Sequence, residues 1–281
     1  MKIITTIAEA RDCVRASRRD GKRIGLVPTM GALHAGHGAL IERAVAECDF
    51  VVVSLFVNPT QFAPTEDLAR YPRTFEQDKA YCEKLGADVI FAPAAGEMYP
   101  QEQITWVTVE KLTDKLCGAS RPGHFRGVTT VCAKLFNITT PDVAYFGQKD
   151  AQQAVVIRRM IADLNLPLEI RVCPIVREPD GLAMSSRNRY LSPDERQRAV
   201  CLHHALEHSR QRAAEGCRDA ATLISEMQAI IENARGRIDY INIVDTETLE
   251  SIARIGQPCL VALAVHIGST RLIDNCILDL K

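Results

Sequence analysis

The feature that most constrains the fold of this chain is a glycine-rich turn placed between an apolar run and a helical pattern. The run covers residues 24–27, the turn carries Gly31 and Gly36, and apolar side chains recur with helical spacing over residues 40–45. Residues 50–57 are apolar almost throughout and rich in β-branched side chains, as in a strand buried on both faces of a parallel sheet. The stretch therefore predicts a β-α-β unit.

Similar patterns continue along the chain and indicate further elements of a parallel sheet. The sequence predicts helices over residues 71–85 and 151–164, with strands over 88–91, 142–146 and 168–175. A turn cluster at residues 177–181 is followed by Ser192-Pro-Asp-Glu195, a capping box that predicts one long helix to about Ala214. A helix over 220–233 and strands over 238–244, 259–266 and 272–278 complete the chain. We predict an α/β fold, with a Rossmann-like domain over residues 1–175 and a smaller α+β domain over residues 176–281.

Charge and cysteine content narrow the class of protein. Lys and Arg number 34 against 35 Asp and Glu, so the net charge gives no reason to expect a nucleic-acid partner. The ten cysteines lie mostly in apolar runs without C-x-x-C spacing, which indicates free thiols in a reducing compartment. Neither a signal-peptide pattern nor a membrane-spanning run is present, since the apolar run over 259–265 is too short. We expect a cytoplasmic protein without a membrane partner.

The glycine-rich turn has the character of an anion site. His34 and His37 lie three residues apart at the start of the predicted helix, where free backbone N–H groups favour a polyphosphate. Two solvated loop histidines or a zinc pair are the alternatives, but no Cys, Asp or Glu stands at ligand spacing and a zinc pair leaves both glycines unexplained. The helix end disfavours a proton on His37, so we expect this ring to donate only once polyphosphate is bound.

Two later segments also suit phosphate groups. Gly147-Gln-Lys-Asp150 is a second turn from a strand to a helix, and it places Lys149 beside a glycine. Gln153 projects from the first turn of the following helix. The loop Met184-Ser-Ser-Arg187 offers two hydroxyl groups and a guanidinium, which suit the β- and γ-phosphates of a nucleotide.

Other polar residues have two open interpretations each. Asn58 and Gln61 follow the second strand and are placed to bind a small polar substrate, or else they form an ordinary Asn-Pro turn with an exposed glutamine. Residues 121–127 carry two arginines and two glycines and predict a lid over phosphates, or a plain solvated connection. Asp78 is a candidate magnesium ligand or a solvated helix carboxylate.

Taken together, the motifs resemble pantothenate synthetase, the ATP-dependent pantoate–β-alanine ligase family of the nucleotidyltransferase superfamily. The matching segments span nearly the whole chain and lie at residues 28–37, 56–62, 70–74, 118–128, 146–150, 180–188 and 271–275.

The resemblance implies a two-step reaction in a magnesium-dependent homodimer. Pantoate and ATP would give pantoyl adenylate and pyrophosphate, and β-alanine would then displace AMP to form pantothenate. It implies ATP contacts at Met30, Gly31, Ala32, Leu33, His34, Ala35, Gly36, His37, Gly147, Gln148, Lys149, Asp150, Val176, Met184, Ser185, Ser186 and Arg187. His34, His37, Lys149, Ser185, Ser186 and Arg187 would be the catalytic donors to the phosphates. Gln61 and Gln153 would hold pantoate, and we add Asn58, Arg121 and His124 as expected substrate contacts.

Three rival functions remain open at this point. Another small adenylyl- or cytidylyltransferase would keep the nucleotide on its product, whereas a ligase releases AMP. A nucleotide-binding regulatory protein would bind ATP without turnover, but it leaves Gln61 and Gln153 without a purpose. A tRNA synthetase is disfavoured because the chain is short and not basic.

Overall fold

The computed structural model describes residues 1–64 and 66–279, and the first part of the chain forms a parallel sheet. Its strands are ordered β1-β4-β3-β2-β5-β6 and all pair in parallel. They are β1 Lys2–Ile4, β2 Ile24–Thr29, β3 Phe50–Leu55, β4 Val89–Phe91, β5 Val143–Gly147 and β6 Glu169–Cys173. The predicted Rossmann-like parallel sheet is confirmed.

Helices cover both faces of this sheet, so successive residues of a strand point into two different hydrophobic cores. Leu26 and Val52 pack with one cluster, whereas their neighbours Val27 and Val53 pack with the other. This explains why the strand sequences are continuous apolar runs and do not alternate between apolar and polar residues. The helices are α1 Ile7–Arg19, α2 Ala35–Glu47, α3 Phe75–Lys84, α4 Ala95–Met98, α5 Leu116–Ser120, α6 His124–Thr139 and α7 Ala151–Asp163.

The position of β2 in the sheet determines where a ligand can bind. β2 pairs with β3 on one side and with β5 on the other, so the strand order reverses between β2 and β5. Ligands of open α/β sheets bind beyond the carboxyl ends of the strands at such a point. The turns that follow β2 and β5 are the two that carry the predicted phosphate-binding residues.

The remaining chain forms a smaller α+β unit with a core of its own. It contains α8 Pro193–Ala199, α9 Cys201–Ala214, α10 Ala220–Asn233 and the antiparallel sheet of β7 Arg237–Asp245, β8 Cys259–Ile267 and β9 Thr270–Leu278. Leu206 and Leu223 from the helices pack with Leu263 from the sheet in one fully buried cluster. The predicted α+β character of this part is confirmed, and the boundary at residues 175/176 stays a prediction.

Two details differ from the sequence-based expectations. The long helix predicted from Ser192 to about Ala214 is confirmed in its extent but is divided into α8 and α9, because Val200, with φ of −63° and ψ of −17°, departs from regular α-helical hydrogen bonding. The elements β1, α1, α4 and α5 have no counterpart in the sequence-based prediction. Within residues 1–64 and 66–279, no helix is both long enough and apolar enough to cross a lipid bilayer.

Candidate active site

The loop between β2 and α2 is held in place by a buried carboxylate. Asp78 from α3 is 4% exposed and accepts hydrogen bonds from the backbone N–H groups of Ala32 at 2.9 Å and Leu33 at 2.8 Å. Thr74 Oγ1 donates to both carboxylate oxygens. The proposed magnesium-ligand role of Asp78 is therefore replaced by a structural one, because its oxygens are directed at the loop and buried.

Most amides at the start of this loop are satisfied inside it. The N–H of Gly31 donates to Thr29 Oγ1, and those of Ala32 and Leu33 are used by Asp78. These three N–H groups are not free for a ligand, so the expected nucleotide contacts at Gly31, Ala32 and Leu33 stay a prediction that cannot use them. Gly31 has φ of 79°, a conformation that suits glycine.

The two histidines form a capping box at the start of α2. The N–H of Gly36 donates to His34 Nδ1 at 3.1 Å, and the N–H of His34 donates to His37 Nδ1 at 3.4 Å. The ring centroids are 4.1 Å apart. A Cβ on Gly36 would lie 2.9 Å from the His34 ring, so glycine makes room for the imidazole. Because each Nδ1 accepts a backbone hydrogen bond, each ring carries its proton on Nε2.

Burial keeps both rings neutral near pH 7. Burial lowers the pKa of His34 to about 4, with a further contribution from the charge of Lys149. Burial and the neighbouring His34 lower the pKa of His37 to about 3. A neutral ring with the proton on Nε2 is already a donor, so the expectation that His37 donates only after polyphosphate binds is not needed.

The turn after β5 brings a cation to the same cavity. Lys149 lies in a short 3₁₀ turn, Gln148–Asp150, between β5 and α7, and its side chain is 22% exposed. Its Nζ lies 3.9 Å from the carboxylate of Asp150, which is too long for a direct hydrogen bond. The ammonium group is thus available to a phosphate.

The loop Met184–Arg187 forms another wall of the cavity. Ser185 caps a short 3₁₀ turn by accepting from the N–H of Arg187. The Arg187 guanidinium donates to Asp67 through Nε at 3.1 Å and Nη2 at 2.9 Å. A phosphate that bound these two nitrogen atoms of Arg187 would have to compete with Asp67 for them.

These segments enclose a cavity of about 220 Å³. Polar groups line one part of it, and Pro28, Phe56, Val131 and Phe146 are among the apolar residues that line the rest. Predicted site residues on its wall are Met30, His34, Gly36, His37, Asn58, Gln61, Arg121, His124, Gly147, Lys149, Asp150, Gln153, Val176, Met184, Ser185, Ser186 and Arg187. Gly31, Ala32, Leu33, Ala35, Gln148 and Asp78 are not among its lining residues.

Gln61 is held in place by several hydrogen-bonded side chains around it. Asn58 is 1% exposed, donates to Gln61 Oε1 at 3.1 Å and to the carbonyl of Gly127, and accepts from Tyr99. His124 Nδ1 donates to the backbone carbonyl of Gln61 at 2.8 Å, and Arg121 Nη1 donates to His124 Nε2. Asn58, Arg121 and His124 therefore support Gln61, and since all three also line the cavity, their assignment as substrate contacts stays a prediction.

The predicted lid over residues 121–127 is a packed element instead. Arg121 is paired with Glu66 through Nε and Nη2, and α6 begins at His124. Gly127 lies so close to the backbone of Thr60 that a Cβ would collide with it. Burial and the charge of Arg121 lower the pKa of His124 to about 4, so the ring is neutral. The segment packs against the Gln61 turn and holds it in place.

Gln153 is a further polar residue of the cavity wall. It lies in the first turn of α7 and is partly buried. Among the described residues its side-chain amide has no hydrogen-bond partner, in contrast to its neighbour Gln152, which binds the backbone of Leu112, Lys115 and Cys117. Its amide is free to bind a polar group of a ligand.

The titration of His37 gives a stability prediction. The unfolded ring binds a proton near pH 6.5 and the folded one only near pH 3, so the unfolded state binds more protons between these values. The free energy of unfolding should therefore fall from about pH 7 to about pH 5, by up to about 2 kcal/mol from His37. His37→Gln keeps a capping residue and removes the titration, so urea unfolding should show a weaker pH dependence. Equal dependence in both proteins would contradict the buried, neutral ring.

Comparison with known proteins places this geometry in a family. The family model described as pantoate-beta-alanine ligase matches residues 2–277. Relatives named pantothenate synthetase come from Geobacter sulfurreducens, with 55% identity over 99% of both chains, and Koribacter versatilis, with 54% identity over 99% of this chain and 96% of the relative.

Solved structures indicate the same family as the sequence comparison. A pantothenate synthetase from Thermus thermophilus superposes with a TM-score of 0.94 at 45% identity, covering 98% of this chain and 99% of that one. A pantoate-beta-alanine ligase from Francisella tularensis, complexed with beta-gamma ATP and beta-alanine, gives 0.83 at 35% identity over 99% and 97%. Sequence and fold together establish that the chain belongs to the pantoate–β-alanine ligase family, whose members are named pantothenate synthetases.

Proposed function

We propose that the protein condenses (R)-pantoate with β-alanine at the expense of ATP, forming pantothenate, AMP and pyrophosphate through pantoyl adenylate. One observation carries the proposal. A single cavity joins the neutral donors His34 and His37 and the cation Lys149 to a mixed wall that contains the amides of Gln61 and Gln153. A site of this kind can bind a polyphosphate beside a small, partly apolar acid.

The first step builds negative charge on the phosphates as the pantoate carboxylate attacks the α-phosphorus. Donors that are already oriented stabilise such charge without reorganising. His37 Nε2–H and Lys149 Nζ have no strong partner among the described residues and can serve in this way. The cavity wall includes no cysteine–histidine or serine–histidine pair within hydrogen-bond reach in the described part of the chain, which fits an adenylate that is bound without a covalent link.

The pantoate end of the cavity combines two amides with apolar side chains. Pantoate carries two hydroxyl groups, a carboxylate and a pair of methyl groups on one carbon. Phe56, Val131 and Phe146 suit the methyl groups, and the amides of Gln61 and Gln153 suit the hydroxyl groups. Asn58 fixes the orientation of the Gln61 amide by donating to its oxygen.

Magnesium fits this site only as a companion of the nucleotide. The described residues contain no group of three His, Cys, Asp or Glu side chains that could hold a metal ion, and Asp78 is used by the loop. We propose that the ion expected from the resemblance is bound chiefly by the phosphates, as is common for Mg²⁺. Asp150 is the cavity carboxylate available to assist.

We also propose a homodimer and a cytoplasmic location. Residues 104–109 belong to no helix or strand of the described structure, and Ile104 among them is 83% exposed. A second copy of the chain could cover it. The location is supported by the ten cysteines, all of which are free thiols.

The order of the steps gives the test of the proposed function. Exchange of labelled pyrophosphate into ATP should require pantoate but not β-alanine, because the adenylate forms before the amine reacts. Adding β-alanine should then release AMP and pantothenate in equal amounts.

Each rival predicts another result. Exchange that needs β-alanine would indicate a concerted route, and a product that retains the nucleotide would indicate a nucleotidyltransferase. ATP binding without exchange or AMP release would indicate a regulatory protein.

A further inference from the structure

We propose that Asn275, in the smaller α+β unit, is a positioning residue that holds Lys149 in the active site. The inference rests on the proposed function, since it assigns Asn275 a role in the adenylation step. Asn275 lies in β9 and does not line the 220 Å³ cavity described above. It acts through the backbone that carries the lysine.

The hydrogen bonds of the Asn275 side-chain amide all go to one turn, residues 148–150. Nδ2 donates to the carbonyl oxygens of Gln148 at 2.9 Å and Lys149 at 3.0 Å. Oδ1 accepts from Gln148 Nε2 at 3.0 Å. The side chain is buried, with 3% of the residue exposed, so water cannot readily replace these bonds.

The turn needs such support because its own bonds are few. Residues 148–150 form a single 3₁₀ turn without a side-chain cap, inserted between the end of β5 and the start of α7. Loss of Asn275 would leave two carbonyl groups without their buried donors, and the turn would shift to satisfy them. A displacement of about 1 Å at a reacting group can cost about 10²-fold in rate.

The residue before Asn275 holds the other phosphate-facing segment. Asp274 is fully buried and accepts from Arg177 Nη1 at 2.7 Å and Nη2 at 3.0 Å. Arg177 forms a β-bridge with Ala183, immediately before the loop Met184–Arg187. Two consecutive residues of one strand thus fix the spacing between Lys149 and this loop. Asp274 and Asn275 are themselves held in place by the antiparallel pairing of β9 with β8.

A double-mutant cycle tests the role of Asn275. Asn275→Ala should lower the rate constant of pantoate-dependent pyrophosphate exchange by about 10-fold or more, with little change in the KM for pantoate. In a Lys149→Ala background the same substitution should change the rate less than about 2-fold, because the group being positioned is already gone. Equal losses in the two backgrounds would overturn the proposal, as would normal exchange by the single variant.

A matched substitution separates positioning from general loosening of the smaller unit. Leu223→Ala creates a cavity in the core of that unit but makes no contact with the turn at residues 148–150. At a temperature where circular dichroism shows both variants folded, Leu223→Ala should exchange at the parent rate and Asn275→Ala should not. Equal impairment of both would reduce Asn275 to a stability role and refute the inference. Absence of exchange in the parent protein would instead refute the proposed function.

Discussion

The Lys149→Ala variant is expected to form pantoyl adenylate about 10²-fold or more slowly than the parent protein, the effect typical of removing one transition-state donor. Lys149 is the residue of the turn after β5 whose ammonium group faces the cavity without a close ion pair. After burial, its charge is the next cause that lowers the pKa of His34. Single-turnover formation of AMP and pantoyl adenylate measures the effect directly.

A lysine of similar exposure provides the control. Lys115 is 25% exposed in its side chain and pairs with Glu250 away from the cavity. Lys115→Ala should leave adenylation within about 2-fold of the parent, because surface ion pairs contribute little. If Lys149→Ala behaves in the same way as Lys115→Ala, the lysine lies in solvent during the reaction and its assignment to the phosphates is wrong.

The elements that the sequence predicted best are those whose pattern repeats over a long stretch. β2, β3 and β5 are apolar runs buried on both faces, and such runs can be recognised without tertiary information. The helix α1 also has a local signal in the sequence. Thr6 caps it by accepting from the N–H of Glu9, and this Thr-x-x-Glu signal is present in the sequence.

The supporting residues of the site could not be found in this way, because their partners are remote in the chain. Asp78 meets the N–H of Ala32 across 46 positions, and Asn275 meets the carbonyl of Gln148 across 127. A carboxylate on a helix has the same local pattern whether it is solvated, binds a metal or holds a loop. The glycine motifs identified the position of the site, and only the fold showed which polar groups are free.

The His37→Ala variant should separate the two half-reactions. Nε2–H of the neutral ring is available to the phosphate link that breaks when pyrophosphate departs, so adenylate formation should slow by about 10²-fold or more. Attack of β-alanine on pantoyl adenylate supplied from outside involves no pyrophosphate and should hardly slow. Rapid-quench measurements of each half-reaction give the two rates.

The capping role of His37 makes a second variant necessary. The ring also accepts from the N–H of His34, so alanine removes a helix cap as well as a donor. Glutamine is a normal capping-box residue at this position, and its amide can both accept and donate, so His37→Gln replaces both functions of the ring. We expect His37→Gln to recover part of the adenylation rate that His37→Ala loses, whereas His37→Glu, which can cap but has no N–H to donate, should remain slow. Near-normal adenylation by His37→Glu, or an equal loss in both half-reactions of His37→Ala, would mean that His37 serves the loop's shape and that another group assists the departure of pyrophosphate.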